Sequence, residues 1–124
     1  MSFLRKYCLT TVWCVVIFVL SVMNVSNIDA PHLFQIPYID KWIHLVLYLV
    51  LGFLLCYEVR FSTFLKKMFV WAFPAFYGGA MELIQEFVVH RSGDVVDFAA
   101  DVLGACMGIL LCYLIFFKRW KQAL

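Results

Sequence analysis

Carboxylates, one histidine and one tyrosine recur along this chain at spacings typical of single helix faces. Asp40, His44 and Tyr48 follow one another at intervals of four residues, and Asp97 and Asp101 are separated by the same interval. Side chains four residues apart lie above one another on a helix. Carboxylates and imidazole are common proton donors and acceptors in catalysis. The pattern therefore indicates acid/base chemistry or the binding of a polar group.

A third stretch adds polar residues with helical spacing. Gly78, Glu82, Gln85 and Glu86 stand at positions i, i+4, i+7 and i+8, which again is one face. If all three stretches are helical, their polar faces lie at a similar depth, within about two turns of one end. We therefore expect them to meet in a single pocket. The candidate catalytic residues are His44, Glu82, Asp97 and Asp101, and the candidate substrate-binding residues are Asp40, Lys41, Tyr48, Gln85 and Arg91.

The segments that carry these residues are apolar enough for a membrane. Of the 124 residues, 65% are hydrophobic, and the mean hydropathy is +0.93. Soluble domains have roughly 45–50% apolar residues, so this composition excludes an ordinary soluble protein. The net charge of +2 does not indicate nucleic-acid binding, because the basic residues form no soluble patch.

Four apolar runs are long enough, or nearly so, to cross a hydrocarbon core of about 30 Å. They cover residues 7–25, 41–57, 68–89 and 95–117. Backbone polar groups cannot be left open to lipid, so we expect each run to be a helix. The fold prediction is an all-α, polytopic membrane protein: residues 1–124 form one compact bundle of four transmembrane helices. The first run lacks a good cleavage site, and we expect a retained anchor.

Charge asymmetry predicts the orientation of these crossings. Eight of the ten Lys and Arg residues fall at the N-terminus, the second loop and the C-terminus, which four crossings place on one side. The positive-inside rule makes that side cytoplasmic and puts both termini there. Seven of the eight acidic residues map to the other edge, and only Glu58 does not. Because carboxylates near hydrocarbon are costly, Glu82 and Asp101 are expected to be functional.

The same residues resemble the pattern of the VanZ-like family of small bacterial membrane proteins. Residues 40–52 are similar to the family's D-K-x-x-H-x-x-x-Y-x-x-x-G segment. The resemblance continues through residues 82–85 and 91–97 and ends with the D-x-x-G-x-x-x-G pattern of residues 101–108. It covers about residues 40–111. A Pro-Gly pair often precedes the family's arginine, whereas Val-His stands there in this chain.

What the resemblance implies is a small envelope protein in the bacterial cytoplasmic (inner) membrane with an outward polar site. The family's namesake is linked to low-level resistance to the lipoglycopeptide teicoplanin, so antibiotic resistance is one function that the resemblance suggests. It does not decide whether the protein is an enzyme.

Two functions of different classes fit these observations. In the first, the polar site binds, and in one version modifies, an amphiphilic envelope molecule, either a lipid-linked precursor or a lipidated glycopeptide. In the second, the polar residues only fasten the helices of a noncatalytic protein that docks to a partner. A proton path is disfavoured, because residues 51–55 and 109–111 in the inner half are almost wholly apolar.

The expected partners are the lipid bilayer and an amphiphilic small molecule, with no nucleic acid; the sequence does not give the oligomeric state. The five cysteines show no C-x-x-C spacing, and no H-E-x-x-H motif is present. We therefore expect no metal and no cofactor. One alternative stays open, in which His44 and three acids hold a divalent ion.

Overall fold

The protein is all-α in the computed structural model, which describes residues 2–23, 38–88 and 95–123. The helices are α1 (Phe3–Lys6), α2 (Cys8–Val22), α3 (Ile39–Val59), α4 (Phe64–Val88) and α5 (Val95–Ala123). These ranges contain no β-strand. The predicted all-α class is therefore confirmed.

Two of the described helices, α3 and α5, are long and apolar enough to cross a membrane by length and composition. Helix α2 is apolar but has only 15 residues. Helix α4 has 25 residues and is long enough, but it carries lysines near its start and glutamates near its end. Four crossings of a membrane therefore stay a prediction.

Several helices extend beyond the apolar runs that predicted them. Helix α4 begins at Phe64 instead of residue 68, and α5 continues to Ala123 instead of residue 117. Backbone hydrogen bonding does not require apolar side chains, and Lys121 in the last turn of α5 is favourable beside the terminal carbonyls. The run ends predicted at residues 25 and 89 lie outside the described residues.

Helices α3 and α5 run parallel and make the most extensive contact between described helices. Glycines allow this close approach. A Cβ atom at Gly104 would overlap the backbone carbonyl of Leu45, and one at Gly108 would overlap the carbonyl of Leu49. Small residues at such contacts let helix backbones pack directly in membrane proteins. The close packing fixes the register in which the polar residues of α3 and α5 face each other.

Side-chain hydrogen bonds to backbone carbonyls join α2 to its neighbours. Trp13 Nε1 of α2 donates to the carbonyl of Leu47 in α3 at 2.8 Å. The Tyr77 hydroxyl of α4 donates to the carbonyl of Cys14 in α2. In an apolar environment such bonds help to hold helices together, because hydrophobic burial contributes little there. Helix α2 is thus attached to both α3 and α4.

Glu58, the acid that the sequence placed apart from the others, contacts the beginning of α2. Its carboxylate accepts hydrogen bonds from the backbone N–H groups of Leu9 at 2.9 Å and Thr10 at 3.0 Å. The first N–H groups of a helix have no partner within the helix, and a negative charge there is favourable. Glu58 therefore caps α2 from another helix.

Two buried apolar clusters form the core of the described part of the protein. One buried cluster lies where α3 ends and α4 begins: Leu55, Cys56, Val59, Val70, Ile109 and Cys112. A second lies directly beneath the polar residues: Ile17, Tyr48, Leu51, Met81 and Ala105. The chemistry-bearing side chains consequently lie at one end, above a closed apolar floor.

Candidate functional site

Two polar contacts join α3 to α5 at this end. Lys41 Nζ of α3 lies 3.0 Å from Asp97 Oδ1 of α5. One turn deeper, His44 Nδ1 lies 2.8 Å from Asp101 Oδ1. The spacing of three residues in α3 and four in α5 matches one turn of each helix, which is why both pairs form in parallel helices. The polar faces of α3 and α5 thus meet at this end.

His44 lies between the two aspartates. Its Nδ1 contacts Asp101, and its Nε2 lies 4.0 Å from Asp97 Oδ2. Asp101 is 0% exposed and Asp97 is 3% exposed, so both carboxylates are removed from solvent. The imidazole is therefore held between two carboxylates, and either ring nitrogen can carry its proton.

Helix α4 contributes Glu82 to the same place. His44, Glu82 and Asp101 each have an atom that could bind a metal ion, and these three atoms lie within 4.8 Å of one another. Three helices therefore converge on one point, as the matching depths predicted. We call the five residues Lys41, His44, Glu82, Asp97 and Asp101 the polar cluster.

Tyr48 and Gly78 form the floor and one wall beside Asp101. Tyr48 is 1% exposed. A Cβ at Gly78 would lie 3.1 Å from Asp101 Oδ2 and 3.4 Å from the Tyr48 ring, so the absence of a side chain at Gly78 makes room here. Both the Tyr48 hydroxyl and Asp101 Oδ2 are buried without a hydrogen-bond partner among the described residues. The site therefore has two buried polar atoms that the described residues leave without a hydrogen bond.

A groove of about 620 Å³ runs along α4 and α5 beside the polar cluster. Its walls are largely apolar and include Ala75, Gly79 and Phe98, and two glutamates, Glu82 and Glu86, also line it. Further wall residues, among them Phe76 and Val95, are strongly exposed on the outer surface of the helices. We call it the α4/α5 groove. Glu82 belongs both to this groove and to the polar cluster.

The other predicted site residues lie at different distances from the cluster. Asp40 is at the rim, where its partly exposed carboxylate lies 3.1 Å from Lys41 Nζ. Gln85 is buried, and its Nε2 donates to the carbonyl of Ser21 in α2 at 3.3 Å, so in this structure its amide bonds to the first long helix. Arg91 lies outside the described residues. The substrate-binding roles of all three stay predictions.

Sequence reasoning missed the α4/α5 groove and its wall residues. The polar faces predicted from spacing include neither Gly79 nor Phe98. The available signal was the four-residue spacing of the small residues Ala75 and Gly79, which leaves a shallow strip along α4. That strip becomes a groove only because Phe98 and Val95 of α5 lie beside it.

A comparison with protein families gives a match over most of the chain. The model of the family described as VanZ/LLP1 matches residues 6–117. This range contains α2, α3, α4 and the site, and it extends well beyond the residues 40–111 that the motifs covered, so the first long helix is part of the match as well. No curated protein and no solved structure matches the chain.

Proposed function

The chain belongs to the VanZ/LLP1 family, and on this premise we propose that it is an envelope membrane protein that binds an amphiphile. The head group of that molecule would contact the polar cluster, and its apolar chain would occupy the α4/α5 groove. A lipid-linked cell-wall precursor and a lipidated glycopeptide such as teicoplanin both have this character.

The observation that carries the proposal is the shared position of Glu82. Its carboxylate lies within 4.8 Å of ligand atoms of His44 and Asp101, and the same residue lines the apolar groove. A purely polar ligand would leave the groove unused, and a purely apolar one would give no partner to Asp101 Oδ2, which has none among the described residues. An amphiphile matches both parts.

The proposal includes four membrane crossings, by α1 with α2, α3, α4 and α5. About 20 helical residues are needed to span the hydrocarbon core. Neither α1 nor α2 has that length alone, but residues 3–22 together do. Lysines at the start of α4 and the end of α5 would face the cytoplasm by the positive-inside rule. The polar cluster at the opposite end would then open toward the outer leaflet of the bacterial cytoplasmic membrane.

The cluster also has groups suited to modify a bound head group. His44 beside Asp101 has the arrangement of an oriented acid/base pair, and Lys41 beside Asp97 could hold a phosphate or carboxylate by charge-assisted hydrogen bonds. The groove supports the binding of an amphiphile. Chemical modification of the bound head group is a further step of the proposal.

A noncatalytic, structural role is the second candidate, and the contacts between α3 and α5 favour it. The Lys41–Asp97 and His44–Asp101 pairs link the two helices that pack most closely. If these pairs only stabilise the packing of α3 against α5, removing one polar group should lower the folded yield. The protein that does fold should then bind the probes as wild type does.

Binding of defined probes tests the proposal. The full chain is purified into nanodiscs, and its affinity is measured for undecaprenyl phosphate and for teicoplanin. The counterpart probes are undecaprenol, which lacks the phosphate, and the teicoplanin core without its acyl chain. We expect at least one complete probe to bind more tightly than its counterpart. A wild-type protein that binds neither complete probe would contradict the proposal.

Two variants separate the polar part of the site from the apolar part. Glu82→Gln alters the cluster, and Gly79→Leu fills the groove, where a Cβ would already lie 3.6 Å from the Phe98 ring. Lys67→Gln is the control, since Lys67 is exposed near the start of α4, away from the polar cluster and the α4/α5 groove. We expect the first two variants to weaken probe binding and the control to change it little. Equal probe binding by all three variants would contradict the proposal.

A further inference from the structure

We infer that His44, Glu82 and Asp101 form a binding site for one divalent transition-metal ion of the Mn²⁺ or Zn²⁺ class. The inference deepens the proposed function and rests on it for the ion's role, which would be to hold the polar head group of the amphiphile. The binding of the ion itself is measurable with no amphiphile present.

The distances between the three side chains fit one ion. Their ligand atoms lie within 4.8 Å of one another. Two ligands on opposite sides of an ion, at bond lengths of about 2.0–2.4 Å, are about 4–4.8 Å apart, and adjacent ligands are about 3 Å apart. His44 Nδ1 and Asp101 Oδ1, at 2.8 Å, already have the separation of adjacent ligands. The three side chains are therefore spaced as the ligands of one ion would be.

Buried oxygens without partners point independently to a missing ligand. Asp101 is wholly buried, yet its Oδ2 has no hydrogen-bond partner among the residues that the structure describes. The Tyr48 hydroxyl also has no hydrogen-bond partner among these residues, and Tyr48 is only 1% exposed. Buried polar atoms normally have partners, and an ion or its bound water would supply them here.

Gly78 leaves open the space beside Asp101 Oδ2, the oxygen that has no hydrogen-bond partner among the described residues. A Cβ at this position would lie 3.1 Å from Asp101 Oδ2, closer than ordinary van der Waals contact. The neighbouring Gly79 has no such relation to the site, because a Cβ there meets only the Phe98 ring, at 3.6 Å. The space beside Asp101 is therefore specific to Gly78.

The donor atoms indicate the class of ion. Imidazole nitrogen suits Zn²⁺ and other first-row transition metals, whereas carboxylate oxygen suits Mn²⁺, Mg²⁺ and Ca²⁺ as well. One nitrogen with two carboxylates favours Mn²⁺ or Zn²⁺ over Mg²⁺, which prefers oxygen ligands and keeps several waters. Asp97 is held by Lys41 at 3.0 Å and lies 4.0 Å from His44 Nε2, beyond hydrogen-bond distance, so it stays outside the ligand set.

Titration with Mn²⁺ alone tests the site. The full chain in detergent or nanodiscs is treated with EDTA and desalted, and loss of the electron paramagnetic resonance signal of free Mn²⁺ reports binding. We expect one ion per chain, displaced by Zn²⁺ and much less by Mg²⁺. A wild-type protein that binds neither Mn²⁺ nor Zn²⁺ would overturn the inference, and this measurement requires no variant to fold.

Conservative variants show whether the ion occupies this site. Glu82→Gln and Asp101→Asn keep the side-chain size and should each weaken Mn²⁺ binding by about tenfold or more. Glu86→Gln, a change of the same kind outside the trio, should bind as wild type does. Size-exclusion chromatography and circular dichroism check that each variant is folded. Equal affinity of folded Glu82→Gln and Glu86→Gln would place the ion elsewhere and overturn the assignment.

The amphiphile assay separates this inference from the proposed function. If undecaprenyl phosphate or teicoplanin binds the EDTA-treated protein as tightly as the Mn²⁺-loaded one, the proposed function stands and the role given to the ion fails. If Mn²⁺ binds as expected and neither probe does, the metal site stands and the proposed function fails.

Discussion

Gly104 of α5 packs directly against the backbone carbonyl of Leu45 in α3. No side chain fits between these two points, because a Cβ at Gly104 would overlap the carbonyl oxygen. His44 precedes Leu45 by one residue, and Asp101 precedes Gly104 by three, so the backbone contact lies within one turn of the polar contact. The distance between the histidine and the aspartate is therefore set by a glycine that carries no chemistry.

Replacing this glycine should separate the helices. In Gly104→Ala the new methyl group requires α3 and α5 to move apart, and we expect the free energy of unfolding to fall by about 1–3 kcal/mol. Titration with a denaturing detergent, followed by circular dichroism, measures it. Gly79→Ala is the matched control, since a Cβ there makes only an ordinary contact at 3.6 Å. Equal stability of the two variants would contradict the packing argument.

The His44–Asp101 contact should show energetic coupling. In a double-mutant cycle with His44→Ala and Asp101→Ala, we expect the two effects on unfolding free energy to be non-additive by about 0.5–3 kcal/mol, because the residues are in direct contact at 2.8 Å. The pair His44 and Glu58, at opposite ends of α3, provides the control cycle and should be additive within about 0.5 kcal/mol. Additivity in both cycles would mean that the contact contributes nothing to stability.

Much of the polar cluster was predictable, because helical periodicity is a local property of the sequence. Residues four apart share a face whatever the rest of the chain does, so His44 and Asp101 could be assigned to inward faces of their helices. Their depth followed from counting residues along each apolar run. The family match at residues 6–117 confirms the resemblance that these motifs suggested.

The features that were missed depend on contacts between helices distant in sequence. Glu58 caps an amide 49 positions away, and the α4/α5 groove exists only where Phe98 lies beside Gly79. The expectation of no metal was based on the lack of a local ligand motif, but His44, Glu82 and Asp101 come from three helices. No spacing within one helix can define such a set, so the sequence left a divalent ion at His44 and three acids only as an open alternative, and the structure narrows it to these three residues.

Removing the Glu58 carboxylate should loosen α2. Glu58→Ala leaves the backbone N–H groups of Leu9 and Thr10 without their acceptor, and loss of a helix cap typically costs about 0.5–2 kcal/mol. The expected result is a decrease of that size in the free energy of unfolding. Glu86→Ala changes an exposed glutamate of α4 and should have an effect within about 0.5 kcal/mol. A Glu58→Ala protein as stable as this control would show that the cap is unimportant.

Two adjacent glycines should differ in their effect on ligand binding. In Gly78→Ala the added Cβ crowds Asp101 Oδ2 at 3.1 Å, and in Gly79→Ala it meets only the edge of the groove. We expect Gly78→Ala to fold and to bind Mn²⁺ several-fold more weakly, whereas Gly79→Ala binds it as wild type does. The titration used for the proposed ion site measures both. Loss of Mn²⁺ affinity in both variants, or in neither, would contradict the assignment of the open space.

The proposed orientation predicts which thiols an impermeant reagent reaches in intact cells. In a variant with its five native cysteines replaced, Tyr38→Cys at the start of α3 should be labelled from outside, because Tyr38 is 70% exposed at the end where Asp97 lies. Phe64, at the start of α4, is 74% exposed at the opposite end. Phe64→Cys should therefore be labelled only after the cells are opened. Labelling of Phe64→Cys in intact cells with protection of Tyr38→Cys would reverse the orientation and place the polar cluster toward the cytoplasm. The ion site would survive that result, since it depends only on distances within the protein, but an outer-leaflet amphiphile could no longer reach the cluster.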